Sequence, residues 1–171
     1  MLNYKHKQPF GDRLSIALKK FETPLCVGID PHISLMPEFF KSANRKQQIE
    51  KIKSFSLSCI DAAQNRVPAI KPQVALFEKF GPEGMEVLQQ IGKNARSAGL
   101  LAIMDAKRGD IGSTSAAYAD AWLGENAAFY CDALTVNPFL GLDTLEPFIE
   151  KAIRGNNGLF ILIKTSNPGS S

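Results

Sequence analysis

The chain has 171 residues, 44% of them hydrophobic and 22% charged, and its 20 Lys and Arg against 17 Asp and Glu leave a net charge of +3. That length supports one domain, residues 1–171, able to bury a real core, and the composition is that of a soluble globular protein. The charge is too small and scattered to expect nucleic acid as a partner. The basic residues between Lys41 and Lys53 alternate with apolar positions at helical spacing and read as a solvated helix face.

The opening "MLNYKHKQPFGDR" lacks the apolar centre of a signal peptide, and no run approaches the ~18 apolar residues of a membrane span. No membrane association is expected. Cys26, Cys59 and Cys131 are odd in number, widely spaced and set among apolar residues. They read as buried free thiols, which places the protein in the cytoplasm. Only His6 and His32 offer imidazole, and no metal-ligand spacing is present, so no metal site is expected.

Leu14, Ala17, Leu18 and Phe21 predict an opening helix, with Asp12 as its cap. Five short apolar runs follow at 24–30, 67–73, 99–105, 131–138 and 158–164. Their hydrophobicity is continuous rather than alternating, as in parallel strands covered on both faces. Helical patterns fill the gaps. Ile49, Ile52, Cys59, Ile60 and Ala63 share one face. Met85, Leu88, Ile91 and Ala95 share another, after "GPEG" with Pro82 near the first turn. Ser113–Leu123 and Asp143–Ile153 complete the alternation.

Strand–helix alternation means an α/β fold, either an open doubly wound sheet or a barrel. Polar residues close every predicted strand: Asp30, Lys71, Asp105 with Lys107, Asn137, and Lys164 with Ser166. A ring of strands gathers all such ends around one mouth, whereas an open sheet gathers only those beside its switch point. "GIDPHISL" also lacks the glycines of a dinucleotide fingerprint. A (β/α)8 TIM barrel is therefore expected, of which this chain covers roughly the first five βα units.

"LLAIMDAKRGDIGST", residues 100–114, drives an apolar strand into a cluster of charges. On a regular strand Asp105 and Lys107 point the same way, roughly 6–7 Å apart. Alone, that pair reads as a structural ion pair or as a catalytic one, and Asp110 alone reads as a helix cap. Asp30, before Pro31, reads alone as a turn residue or a site carboxylate. Lys71, between Ile70 and Pro72 at another strand end, turns the pair into an alternating network. Carboxylate neighbours keep a lysine protonated, as a general acid delivering a proton to carbon requires.

"DAKRGDI", with "GID" at the first strand, "IKPQ" at the second and "TSNPGS" at the fifth, closely resembles the orotidine 5′-phosphate decarboxylase family. "MDAKRGDIGSTSAAYA" is most similar to its bacterial type 2 branch, and the resemblance runs from Asp12 to Ser171. It implies cofactor-free decarboxylation of orotidine 5′-phosphate to UMP in pyrimidine biosynthesis. It makes Lys107 the proton donor to pyrimidine C6 and sets Asp105 against the substrate carboxylate. Lys71 then orders the network and touches the ribose, and Asp30 binds a ribose hydroxyl. Asp110, Ile111 and Thr114 match a segment contributed across a homodimer interface, and Ser166 matches the residue that reads the pyrimidine amide.

The resemblance leaves two alternatives. One is a sister metal-dependent sugar-phosphate decarboxylase or synthase, which carries an acid where Lys71 stands. The other is an inactive barrel fragment. The family's phosphate-gripping glutamine loop and late arginine have no counterpart before the chain ends at "TSNPGSS". Two open sheet edges and exposed apolar faces at "LLAIM" and "LFILI" are expected from that ending.

Overall fold

The computed structural model describes residues 8–41 and 44–170, so His6 and Ser171 lie outside the described residues. The opening helix, α1, spans Phe10–Phe21. Asp12 lies inside its first turn, where a carboxylate favours the helix dipole, and does not cap it; Pro9 holds the cap position with no side-chain bond. Strands β1 (Cys26–Ile29), β2 (Ala69–Pro72), β3 (Leu101–Arg108), β4 (Ala133–Val136) and β5 (Gly158–Ile161) fall within or across the five apolar runs.

Between them lie α2 (Arg45–Ala63), a single turn α3 (Ala75–Glu78), α4 (Pro82–Ser97), α5 (Gly112–Trp122) and α6 (Glu146–Gly155). Asn44 caps α2, its side-chain oxygen accepting the amides of Lys46 at 2.9 Å and Gln47 at 3.3 Å. Pro82 opens α4 at a position that needs no amide hydrogen. Asp143 falls in a 3-10 turn, Leu142–Leu145, and α6 itself starts at Glu146 with Pro147 in its first turn.

The strands lie in the order β1-β2-β3-β4-β5, and every pair is parallel. Sequential parallel order distinguishes a barrel from a doubly wound sheet, whose order reverses at a switch point. With right-handed crossovers it also sends every connecting helix to one face. The fold is accordingly five strands of a (β/α)8 barrel with their helices.

Outward-facing Ile29, Ile70, Ala102, Met104, Leu134 and Val136 pack against Ile52, Ile60, Leu88, Ile91, Trp122 and Phe148 of the helices. Each Ile, Leu, Val, Met or Phe among them contributes about 1.5–3 kcal/mol when taken from water. Ile49 and Cys59, at the margins of the α2 apolar face, are half-buried, and Ser56 takes the central place between Ile52 and Ile60.

The opposite face of the sheet is covered too. Ala69, Leu101, Ile103 and Ala133 form a second cluster with Phe10, flanked by Leu14 and Ala17 of α1. This overturns the expected exposure of "LLAIM", whose five residues are all at most 9% exposed, because β3 is central and α1 closes its inner face. The expectation holds for "LFILI", where Phe160 and Ile161 of β5 and Ile163 just beyond it are 42%, 43% and 94% exposed. Of the three cysteines, all free, only Cys131 is buried; Cys26 is exposed because it faces inward on β1, and Cys59 is half-buried.

Beneath the sheet, the fully buried carboxylate of Asp132 pairs with Arg13 of α1 and accepts bonds from the Tyr130 hydroxyl at 3.0 Å and the Ala102 amide at 2.7 Å. Arg13 also reaches the Asn156 carbonyl at 3.2 Å. These bonds pin α1 across the N-terminal side of the strands and leave the C-terminal ends open.

Candidate active site

Parallel register puts successive strand ends at one level. Gly28 pairs with Lys71 across β1 and β2, and Gln73, just past β2, bridges to Asp105 on β3. Past Met104 and Leu134 the β3–β4 ladder breaks: the next pair is Arg108 with Val136, so β3 advances four residues against two of β4. Such a bulge re-aims side chains. Within it Lys107 takes φ +49°, a left-handed conformation costing a non-glycine residue roughly 1–3 kcal/mol. Asp105 and Lys107 therefore meet through a kinked backbone, not as the i and i+2 residues of a regular strand.

Asp105 is 6% exposed and receives four donors. Its Oδ1 contacts the Lys107 ammonium and accepts the Thr135 hydroxyl at 3.1 Å. Its Oδ2 accepts Lys71 Nζ at 2.9 Å and Gln73 Nε2 at 3.1 Å. Burial pushes the carboxyl pKa up and is the largest single influence. The hydrogen bonds and charges of Lys107 and Lys71 together outweigh it and hold the carboxyl below its ordinary value. Both lysine side chains are about two-fifths exposed, so their ammonium groups remain open to a bound anion.

The structure brings together Lys71, Asp105 and Lys107. Asp30 follows β1 at the same edge, its carboxylate folded back over Gly28. Ser166 is exposed beyond β5, in the loop leading to the short turn Pro168–Ser170. Among the described residues Asp110 makes no bond to the cluster; its carboxylate accepts the Ile111 amide at 2.8 Å. It does not cap α5, which starts at Gly112 with Ile111 in the cap position, so Asp110 lies one residue before the cap. Ile111 is 62% exposed and Thr114 is exposed beside it. Asn137, after β4, folds locally and accepts the Phe139 amide at 3.0 Å.

Two members of the cluster were not singled out from the sequence. Gln73 stands in "IKPQ", two residues after Lys71 and so on the same strand face. Thr135 was signalled only by being the sole hydroxyl in the apolar stretch "ALTV". Among the described residues, no three His, Cys, Asp or Glu side chains converge as a metal site would require.

A family model for the "Orotidine 5'-phosphate decarboxylase / HUMPS family" matches residues 23–171. The chain belongs to this family. It is 47% identical over 161 residues to the orotidine 5′-phosphate decarboxylase of Streptomyces coelicolor, covering 94% of this chain and 56% of that relative. To the Rhodopirellula baltica enzyme of the same name it is 42% identical over 168 residues, with the same coverages. The chain thus spans about half the length of these curated relatives.

Among solved structures, one from Streptomyces avermitilis assigned to orotidine 5′-phosphate decarboxylase superposes with a TM-score of 0.89 at 45% identity. That match covers 99% of this chain and 58% of the other. The Leishmania donovani OMP decarboxylase superposes with a TM-score of 0.73 at 32% identity, covering 95% and 56%. The four-donor cage around Asp105 stands at the C-terminal strand ends, the side on which barrel enzymes carry their chemistry.

Proposed function

We propose that this chain carries the charge network of an enzyme that decarboxylates orotidine 5′-phosphate to UMP, a step of pyrimidine biosynthesis, without a cofactor. The observation that carries this reading is Asp105, an ionised carboxylate held between the ammonium groups of Lys71 and Lys107 at the strand ends.

A substrate carboxylate docked about 3 Å from Asp105 is repelled by roughly 5 kcal/mol at an effective dielectric near 20. Breaking the C6–carboxylate bond releases neutral carbon dioxide, relieves that repulsion and leaves an electron pair on C6. The Lys107 ammonium then gives its proton to C6 and is reprotonated from solvent. Both effects are stronger in the transition state than in the ground state, which is what lowers a barrier.

Lys71 holds Asp105 in place and reaches toward the ribose, Asp30 accepts a ribose hydroxyl, and Ser166 reads the pyrimidine amide. Asp110, Ile111 and Thr114 enter the site of a second copy in a homodimer; the exposure of Ile111 supports this part of the reading. No helix of the described residues is long and apolar enough to cross a membrane, and the cysteines are free, which supports a cytoplasmic setting.

The test is carbon dioxide release from orotidine 5′-phosphate by a completed barrel, in which this chain is continued by the remaining strands of the Streptomyces coelicolor relative. A cooperatively melting product that releases none overturns the reading. The dimer is tested by mixing inactive Lys107→Ala and Asp110→Ala subunits. Random pairing leaves one intact site in half the molecules, so about a quarter of the wild-type rate returns. No recovery after verified exchange means that Asp110 acts within its own subunit.

A further inference from the structure

Thr135 sits at the centre of the four-residue strand β4, between Leu134 and Val136, and is buried. Its hydroxyl does two things at once. It accepts the Lys107 backbone amide at 2.8 Å and donates to Asp105 Oδ1 at 3.1 Å. Both bonds fall where the β3–β4 ladder is interrupted and where Lys107 holds its left-handed backbone. In a regular ladder the Lys107 amide would face β2, as the backbone groups of Leu101 and Asp105 do. The bulge turns it toward β4 instead, where the Thr135 hydroxyl receives it and ties the bulge to that strand.

We propose that Thr135 is a positioning residue: its hydroxyl locks the Lys107 backbone and the Asp105 carboxylate into one geometry, so that the ammonium group is aimed before substrate arrives. The inference rests on the decarboxylase reading, in which Lys107 is the proton donor. It deepens that reading by assigning the strand that aims it. An unanchored bulge lets Lys107 relax out of its strained conformation, and a donor displaced by an ångström loses much of the benefit of orientation. Threonine suits the place because its methyl fills the buried position while its hydroxyl supplies one donor and two acceptor sites.

The test compares Thr135→Val, which keeps the branched shape and removes both bonds, with Thr135→Ser, which keeps the hydroxyl. In the completed barrel, Thr135→Val lowers kcat on the order of 10- to 100-fold, with KM within about two-fold. Thr135→Ser recovers most of the loss. A carboxyl-carbon NMR titration of Asp105 gives a readout independent of turnover. The charged groups facing Asp105 are Lys71 from β2 and Lys107 from its own strand, and neither is changed. Loss of a donor to the ionised form raises the Asp105 midpoint by about half a pH unit in Thr135→Val and leaves it in place in Thr135→Ser.

Equal losses in the valine and serine variants would show a packing role and overturn the proposal, as would an unmoved Asp105 midpoint in Thr135→Val. A wild-type barrel without carbon dioxide release overturns the decarboxylase reading instead, while the titration still decides whether Thr135 positions the pair.

Discussion

A Cβ on Gly28 would stand 2.8 Å from Oδ2 of Asp30, closer than real Cβ atoms come to anything. The Asp30 carboxylate thus folds back over a glycine that pairs with Lys71 on the next strand. Gly28→Ala is expected to push the carboxylate off this position with little effect on the fold, since Gly28 is exposed. KM for orotidine 5′-phosphate should rise about ten-fold, the size of one lost hydrogen bond to a charged group. An unchanged KM in steady-state kinetics would remove Asp30 from the ribose site.

Lys107→Ala in the completed barrel should lower turnover by at least about 10³-fold, as loss of a general acid does. Lys20→Ala, on α1 where the ammonium lies over the Phe21 ring, should leave it within about two-fold. Carbon dioxide release measures both, and retained activity in Lys107→Ala would sink the mechanism.

The Asp105 carboxyl titrates below its ordinary value in the folded protein. A depressed folded pKa contributes stability that is present above the unfolded value, about 3.9, and is lost as pH falls through the folded one. The wild type should therefore melt higher than Asp105→Asn at pH 7, and the gap should close as pH falls below about 4. Melting curves from pH 7 to 2.5 test this; a gap that widens toward acid has the wrong sign.

Arg13→Ala leaves the fully buried Asp132 carboxylate without its cation. In the completed barrel, breaking a buried pair from one side costs about 3–5 kcal/mol, a fall of roughly 10 °C in Tm. Adding Asp132→Asn should restore part of it, because the uncompensated charge is gone. A single variant that melts like the wild type would mean that α1 is held by Phe10 packing alone.

Residues 1–171 made alone should associate and show no decarboxylation. Phe160, Ile161 and Ile163 present apolar surface, and β5 has one paired neighbour among the described residues. Sedimentation and dye binding should show this for the chain alone and not for the completed barrel. A monomeric, cooperatively melting and active chain would contradict it.

Local pattern alone determined the element order, the parallel α/β class and the convergence of Lys71, Asp105 and Lys107. Apolar periodicity and turn residues act within a few positions, and parallel strands necessarily share the edge at which they end. Only the tertiary structure decided how the charges meet. The β3 bulge, the left-handed Lys107 and the bonds of Gln73 and Thr135 to Asp105 depend on registers between strands some 30 residues apart. The covering of β3 by α1 was hidden for the same reason: Arg13 and Asp132 are 119 positions apart and meet only once the sheet has formed. A hydrogen bond between distant strands leaves no periodicity in the chain, so its partners become visible only when the register is known.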